Sequence, residues 1–259
     1  PPPLDNNDIV VVPVENPDEP IAATLVSTST PFNVTPVTVE YRIVPPGGSW
    51  QVSDNGVFQV VLQPGQVADA NTPANSSFGG VLGTFEVSIA YEGQIDVDVL
   101  TDAADANPGD GVSADDAGNS TLRSAIQEAN AASGLNTLVL TEGATYSLSV
   151  SGADEDASAS GDLDVTDDLV IHGNGATIAV TGNIDRVLDV FAGATVTLQD
   201  LTLTGGQVTG VGGGVRNAGV IDATGILVTG NTATGDGGGV HNSGTLTMTN
   251  TTISRNTVT

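Results

Sequence analysis

The sequence contains no cysteine and no lysine, and only 3% of its residues are aromatic. The absence of cysteine excludes disulfides, thiolate nucleophiles and thiolate metal sites. Arginine and histidine supply all of the basic side chains, and 31 acidic residues bring the formal net charge to −26. This charge repels polyanions and therefore excludes nucleic acid and anionic membrane surfaces as direct partners. It favours surroundings in which salt or calcium screens the repulsion between like charges.

Long apolar runs are also absent, so the sequence shows no transmembrane segment and no signal peptide. The chain opens on three prolines without an initiator methionine and ends within a repeat. We therefore expect it to be part of a larger protein. Its 259 residues suffice for one large domain or for two ordinary domains with cores of their own.

The last third of the sequence repeats itself. GGGVRN at 212–217 returns as GGGVHN at 237–242, an offset of 25 residues (237 − 212). The same offset aligns three apolar columns: Val196/Ile221/Leu246, Leu198/Ala223/Met248 and Leu203/Val228/Ile253. Short alternating segments broken by Gly-Gly and Gly-Asn turns are typical of strands, and a fixed period of this size indicates stacked units. The pattern predicts a parallel β-helix, with Asn217/Asn242 and Asn231/Asn256 as asparagine ladders between its rungs.

Residues 1–92 form the first predicted domain, an all-β unit. Short stretches of alternating apolar residues, separated by turn residues such as DNG at 54–56, predict strands with one buried face. The predicted strands are 9–12, 23–26, 37–44, 57–62 and 85–89. Trp50, the only tryptophan, is interpreted as a core anchor, with a platform for ligand stacking as the alternative.

This first domain resembles a bacterial Ig-like repeat of large secreted proteins. The resemblance rests on LDNNDI (4–9), YRI (41–43), GGSW (47–50), DNGVF (54–58) and LGTF (82–85). It implies an Ig-like β-sandwich. In that family further strands precede the LDNNDI segment, and an Ig-like sandwich has about seven strands. The resemblance therefore implies an incomplete sandwich with an unfilled edge or groove.

Residues 93–134 form the second predicted domain, a cap made of an acidic loop and a helix. The loop concentrates carboxylate and amide oxygens, which are the ligands that calcium prefers. The calcium candidates are Asp102, Asp105, Asn107, Asp110, Asp115 and Asp116. Their spacing departs from the EF-hand pattern, because Gly109 stands at the fifth position counted from Asp105. A solvated loop without an ion is the alternative interpretation.

Residues 120–133 predict an amphipathic helix that covers the open end of the solenoid. Ser120 or Thr121 can cap its N-terminus, and Gly134 ends it. One face of this helix is apolar. That face consists of Leu122, Ala125, Ile126 and Ala129. Without such a cover, the first rung would expose a row of unpaired backbone groups.

DANPGDGV at 105–112 and STLRSAIQEANA at 120–131 resemble the CSLREA domain. That family begins right-handed parallel β-helices of bacterial surface and secreted proteins, and GDLDV at 161–165 and the GGGV repeats extend the resemblance over residues 95–259. The repeats are also similar to those of polymorphic outer-membrane proteins and related adhesins. The family often has cysteines where Ser113 and Ser120 stand, which implies a disulfide there that this chain replaces by other contacts.

Residues 135–259 form the third predicted domain, the β-helix repeats, open at their C-terminal end. Strands of the first rungs are predicted at 138–140, 146–150, 163–165, 169–171 and 177–180. The predicted fold class is thus all-β: an Ig-like β-sandwich, then a right-handed parallel β-helix with an N-terminal capping helix.

Parallel β-helices include polysaccharide lyases and hydrolases, so enzymatic activity has to be weighed. Such lyases use a basic residue to abstract a proton, and hydrolases use pairs of acids. The sequence has no lysine and no evident acid pair. Arg216 and His241 occupy the same repeat position on consecutive rungs. They are interpreted as exposed turn residues, with a base beside a cation as the alternative. We predict no catalytic residue and no enzymatic activity.

We expect a non-enzymatic structural or adhesive module of an extracellular or cell-surface protein, with calcium as its one candidate cofactor. Its expected partners are other copies of itself or neighbouring domains of the parent protein, with surface glycans as a further candidate. One alternative is a self-assembling extracellular fibre subunit joined through open β-edges. The other alternative is a polysaccharide-active β-helix enzyme.

Overall fold

The structure is a computed structural model that describes residues 4–29, 38–51, 54–67, 77–89, 91, 93–132, 134–153, 155–182 and 185–259. Val37 and Ser133, at the ends of a predicted strand and of the predicted helix, lie outside the described residues. The chain divides into two compact units, Pro1–Tyr91 and Glu92–Thr259. The described residues contain no helix with the length and apolar character that a membrane crossing requires.

The N-terminal unit contains a five-stranded antiparallel sheet with the strand order β3-β2-β1-β4-β5. Its elements are β1 (Ile9–Pro13), β2 (Ile21–Thr28), β3 (Val39–Ile43), a 3₁₀ turn (Pro46–Gly48), β4 (Gly56–Leu62) and β5 (Gly80–Val87). The predicted strands are confirmed. Strand β5 begins five residues earlier than predicted, because Gly80 and Gly83 hide the strand signal while still pairing with β4.

The core of this unit is small and aromatic. Val11, Ile21, Phe58 and Val87 are buried, and Trp50 packs against this cluster. The Trp50 ring centroid lies 5.2 Å from that of Phe58. Trp50 therefore takes the place of a core anchor, as its first interpretation predicted.

The second unit is a parallel β-helix of short strands preceded by one helix, α1 (Leu122–Ala131). Its strands are β6 (Gln94–Asp96), β7 (Asn136–Val139), β8 (Thr145–Leu148), β9 (Leu163–Val165), β10 (Leu169–Val180), β11 (Leu188–Val190), β12 (Thr195–Thr204), β13 (Gln207–Val208), β14 (Val215–Asn217), β15 (Val220–Thr224), β16 (Leu227–Thr229), β17 (Thr232–Ala233), β18 (Val240–Asn242), β19 (Thr245–Thr249), β20 (Thr252–Ser254) and β21 (Thr257–Val258). All pairs among them are parallel, in sheets with the orders β19-β15-β12-β10-β7-β6, β18-β14-β11-β9 and β13-β17-β21. The predicted strands of the first rungs all coincide with or overlap observed strands.

The register of the rungs confirms the three predicted apolar columns. Val196 pairs with Ile221 and Ile221 with Leu246, while Leu203 pairs with Val228 and Val228 with Ile253. Val228 is only 1% exposed. The 25-residue period therefore places equivalent side chains above one another in a continuous core.

The glycine triplet of the repeat is required by close packing between rungs. Gly212 has a φ of +71°, which side chains of L-residues rarely allow. A Cβ on Gly214 would lie 2.7 Å from Cγ1 of Val228. The triplet thus lets the turn backbone lie directly against the core.

Both predicted asparagine ladders form. Nδ2 of Asn217 donates to Oδ1 of Asn242 at 2.7 Å, and Nδ2 of Asn231 donates to Oδ1 of Asn256 at 3.1 Å. The amide of Asn217 also accepts from the backbone N–H of Gly219. The ladders therefore satisfy turn backbone and link successive rungs.

Helix α1 covers the first rung as predicted, but it is shorter than predicted. Thr121 is its N-cap and forms a reciprocal capping box with Ser124, and Ala132 is already extended. The four apolar residues predicted for its inner face are all at most 2% exposed and belong to the solenoid core. Its polar residues Arg123, Gln127 and Glu128 are buried too, so the helix is enclosed by structure on more than its apolar side.

Candidate functional site

The side chain of Arg123 in α1 connects the acidic loop to the segment that precedes strand β9. Its Nε and Nη2 donate to the two carboxylate oxygens of Asp102, at 2.6 and 3.1 Å. Its remaining N–H groups donate to the carbonyl oxygens of Ser158, Asp162 and Gly161, at 2.7 to 3.1 Å. All five guanidinium donors are therefore used, in a side chain that is fully buried.

The segment 155–162 is held over strand β9 by these bonds and by others from α1 and from β9 itself. The backbone N–H of Ser158 donates to Oδ2 of Asp164 at 2.8 Å. Nε2 of Gln127 in α1 donates to the carbonyl oxygen of Ala157 at 3.3 Å. A side chain on the outer face of β9 is consequently enclosed.

The enclosed face carries a column of four polar residues, one from each strand of the β9-β11-β14-β18 sheet. Asp164 pairs in register with Asp189, Asp189 with Arg216, and Arg216 with His241. The apolar neighbours of each aspartate on its strand lie in the core, so alternation turns the aspartate to the opposite face.

Two arginines bind the carboxylates of this face. Nη1 of Arg186 lies 2.9 Å from Oδ2 of Asp162, 3.2 Å from Oδ2 of Asp189 and 3.8 Å from Oδ1 of Asp185. Arg216 donates from Nε to Oδ1 of Asp189 at 2.8 Å and reaches its Oδ2 through Nη2 at 2.5 Å. The guanidinium of Arg216 also lies 5.6 Å from the centroid of the Phe191 ring, in a cation–π contact.

We call Asp162, Asp164, Asp185 and Asp189 the acidic cluster. Each of these residues is at most 4% exposed. When all four carboxylates are ionised, the two guanidiniums of Arg186 and Arg216 leave the cluster with a net charge of −2 (−4 + 2). Buried charges of this kind are costly unless a proton or a cation neutralises them.

The titration of the cluster reflects this excess. Burial, reinforced by the charge of Asp185, raises the pKa of Asp162 to about 7. Burial and the charge of Asp162 raise the pKa of Asp164 to about 8. Burial also raises the pKa of Asp189, against the hydrogen bond from Arg216, which lowers it. In the absence of a cation, the cluster therefore retains protons near neutral pH.

One buried carboxylate oxygen of the described cluster lacks a hydrogen-bond partner. Oδ1 of Asp164 accepts no hydrogen bond. Nearby, the buried Nε–H of Arg186 donates none, and Nδ1 of His241 takes part in none. Oxygens of Asp162, Asp164 and Asp189 all lie within 4.8 Å of one another. Among the described residues, these three form the group of acidic side chains that lie close enough together to share one metal ion.

Among the described aspartates of the acidic loop, no three have carboxylate oxygens within 4.8 Å of one another. Asp102 is bound to Arg123, and Nδ2 of Asn107 donates to Oδ2 of Asp110. Asp105, Asp115 and Asp116 line one shallow depression. Backbone N–H groups donate to three of these carboxylates. Asp105 accepts from Asn107 and Ala114, and Asp110 accepts from Val112. Asp115 accepts from Ala117 and Asn119. Calcium binding by this loop stays a prediction.

Arg216 and His241 stack in register as the repeat predicted, but they lie in strands β14 and β18 instead of turns. The interpretation as turn residues is therefore wrong for both. The Arg216 side chain is part-exposed, and its guanidinium binds Asp189.

Sequence reasoning did not single out the acidic cluster. The tripeptide Leu-Asp-Val occurs at 163–165 and again at 188–190, an offset of 25 residues (188 − 163). Because that offset is the period of the solenoid, it predicts Asp164 stacked on Asp189. The burial of both could not be inferred from this signal.

The geometry permits three kinds of chemistry: structural ion pairing, proton storage and the binding of a hard cation. It does not offer an acid pair to a polymer, because the carboxylates lie beneath the segment 155–162 and Arg186. Comparisons with protein-family models, with curated proteins and with solved structures give no match, so the assignment of a function rests on this geometry.

Proposed function

We propose that this chain is a non-enzymatic structural or adhesive module of an extracellular or cell-surface protein. The observation that carries the proposal is the enclosure of the acidic cluster. General acid–base catalysis requires a carboxyl group within hydrogen-bonding reach of the substrate. Asp162, Asp164 and Asp189 are at most 2% exposed and bind backbone or arginine instead.

The outer face of the β12-β15-β19 sheet supports the same proposal. Seven of the nine outward positions in 195–199, 220–224 and 245–249 carry short hydroxyl or carboxylate side chains, and Gln199 and Val220 occupy the other two. The seven are Thr195, Thr197, Asp222, Thr224, Thr245, Thr247 and Thr249. A regular row of threonines makes a hydrated, rigid surface, and such a surface suits a stalk or the binding of surface glycans. Strands β12, β15 and β19 themselves carry no basic side chain, whereas a lyase requires one. The next strand of the sheet, β10, places His172 in register with Gln199.

The proposal includes the finer assignments of the two units. We assign the second unit to the CSLREA-type β-helices and the N-terminal unit to the Ig-like repeats, and we place both outside the cell. Supporting the first assignment, Oγ of Ser113 lies 2.7 Å from Oγ of Ser120, at the two positions where that family often has cysteines. An antibody against the chain should label intact cells of the source organism as strongly as permeabilised ones. Labelling restricted to permeabilised cells would contradict the location.

A search for turnover tests the absence of catalysis. The chain is incubated with neutral and acidic polysaccharides, and released reducing ends and unsaturated uronates are measured. We expect no product above that of the matched variant Asp189→Asn. Product that wild type forms and Asp189→Asn does not would overturn the proposal and establish the enzyme alternative. The same polysaccharides on a glycan array identify any adhesive ligand.

One observation favours the fibre alternative. Strand β5 forms an edge of the N-terminal sheet in the described residues, and Val81 and Leu82 on it are 55% and 62% exposed. An apolar edge of this kind is suited to pairing with a strand of another copy. If the chain is a fibre subunit, light scattering should show association that grows with concentration and that Leu82→Lys abolishes. A monodisperse monomer for both proteins would exclude this alternative.

A further inference from the structure

We propose that the acidic cluster is a calcium site in which Asp162, Asp164 and Asp189 supply the ligands. This inference is independent of the proposed function, because a structural cation can serve an enzyme or a stalk equally. The site is distinct from the acidic loop, whose candidate residues lie in other contacts.

The first argument is charge. The cluster has four carboxylates, Arg186 and Arg216 contribute two positive charges, and two negative charges are left over. One divalent cation neutralises the excess of the cluster. Among the described contacts, Asp164 is the carboxylate of the cluster that no arginine binds, and buried charges in proteins are either paired or coordinate a metal.

The second argument is the unpartnered oxygen. Oδ2 of Asp164 accepts from the N–H of Ser158 at 2.8 Å, which fixes the orientation of the carboxylate. Its Oδ1 is buried and accepts nothing. Asp164 as a whole is 1% exposed, so water outside the protein does not solvate this oxygen. A buried polar atom without a partner points to a group that is bound there.

The third argument is distance. The ligand oxygens lie within 4.8 Å of one another. Calcium–oxygen bonds measure about 2.3 to 2.6 Å, so two oxygens bound to one ion are at most about 5.2 Å apart. Separations of no more than 4.8 Å satisfy this limit. Calcium also accepts irregular coordination, whereas magnesium keeps a strict octahedron and several waters.

The two arginines are compatible with a bound ion. Arg186 holds Oδ2 of Asp162, and Arg216 holds both oxygens of Asp189. Each carboxylate oxygen has a second lone pair, so a bond from arginine leaves it able to coordinate. Partners of this kind fix the orientation of metal-binding carboxylates. Arg186 and Arg216 are thus positioning residues for the ligands.

Calorimetric titration of the chelator-treated chain with calcium chloride tests the proposal. We expect one calcium ion per wild-type chain and an affinity for calcium about 100-fold lower in Asp164→Asn. A loss of this size is the upper end of the range found when residues that support metal ligands are replaced. Asp222→Asn, an exposed aspartate of the same solenoid, is the matched control and should bind as wild type does. The double variant Asp115→Asn/Asp116→Asn tests the acidic loop and should also bind as wild type does.

Hydrogen–deuterium exchange of the wild-type chain locates the ion without any variant, should Asp164→Asn fail to fold. Calcium should slow exchange in peptides covering 155–165 and 185–190 and leave 105–119 unchanged. Protection confined to 105–119, calcium binding lost only in the loop variant, or no calcium binding by wild type would each overturn the proposal.

Discussion

Oγ of Ser113 lies 2.7 Å from Oγ of Ser120 and 2.9 Å from Oγ of Ser124. Ser120 in turn donates to the carbonyl oxygen of Asp96 in β6 at 2.5 Å. A chain of hydroxyl groups thus connects the acidic loop to the start of helix α1 and to strand β6. These hydrogen bonds hold the loop in place, as a disulfide between the same two positions would do covalently.

This contact predicts that the double variant Ser113→Cys/Ser120→Cys forms a disulfide. Closing a loop of eight residues should raise the free energy of unfolding of the solenoid unit by about 2 to 3 kcal/mol. Thermal melts with and without reductant measure the effect, and the single variant Ser113→Cys is the control. A double variant that is no more stable when oxidised than when reduced would show that the two side chains do not approach as described.

Arg123 should be the arginine that matters most for stability. Arg123→Lys keeps the charge but loses most of the five hydrogen bonds, because an ammonium group cannot match the guanidinium fork. Arg123→Ala leaves Asp102 buried without a countercharge and should cost about 3 to 5 kcal/mol. Urea unfolding measures both losses, and Arg255→Lys at an exposed position should be neutral. Equal stability of Arg123→Lys and wild type would contradict the role assigned to this side chain.

The register of the solenoid predicts opposite results for two valines on neighbouring strands. Val228→Asp buries a charge between Leu203 and Ile253 and should cost about 3 to 5 kcal/mol. Val220→Asp lies on the outer face, where the side chain is 40% exposed, and should change stability little. Both are measured by denaturant unfolding. Similar losses in the two variants would show that the inner and outer faces are misassigned.

The acidic cluster predicts how the stability of the calcium-free chain depends on pH. The pKa values of Asp162 and Asp164 are about 7 and 8 in the folded chain, against about 3.9 in an unfolded one. Between these values the folded state binds more protons than the unfolded state, so stability is lost as the pH rises. We expect the free energy of unfolding in chelator to fall from about pH 4 to about pH 8.

The variant Asp164→Asn isolates the contribution of the cluster to this slope. Its amide can still accept from the N–H of Ser158, and it carries no charge to bury. At pH 8 without calcium it should be more stable than wild type, and its stability should depend less on pH. Stability that rises between pH 5 and pH 8 in wild type would contradict the raised pKa values.

The core of the solenoid was predictable from sequence because its signal is local and periodic. Val196, Ile221 and Leu246 recur at one fixed offset, so parallel pairing in register follows from the period itself. The capping helix was predictable for the same kind of reason, since Thr121 and the apolar spacing of α1 lie within one short segment.

The acidic cluster was not predictable, because its burial depends on contacts far apart in sequence. Alternation places Asp164 on the outer face of β9, where an acidic residue is ordinarily solvated. Arg123, 35 residues before Ser158, holds the segment that covers it. The density of acidic residues in the sequence instead pointed to the acidic loop as the calcium site. Asp102 was one of its candidate ligands, but in the structure the carboxylate of Asp102 binds Arg123.

The melting temperature of the wild-type chain in excess chelator and in millimolar calcium, at matched ionic strength, tests the central claim most directly. The claim is that the acidic cluster serves stability through a bound cation. Calcium at a hundredfold excess over its dissociation constant should add about 2.7 kcal/mol. We therefore expect a clear rise in the melting temperature of wild type and little rise in that of Asp164→Asn. An unchanged melting temperature in wild type, or an equal rise in both proteins, would contradict the claim.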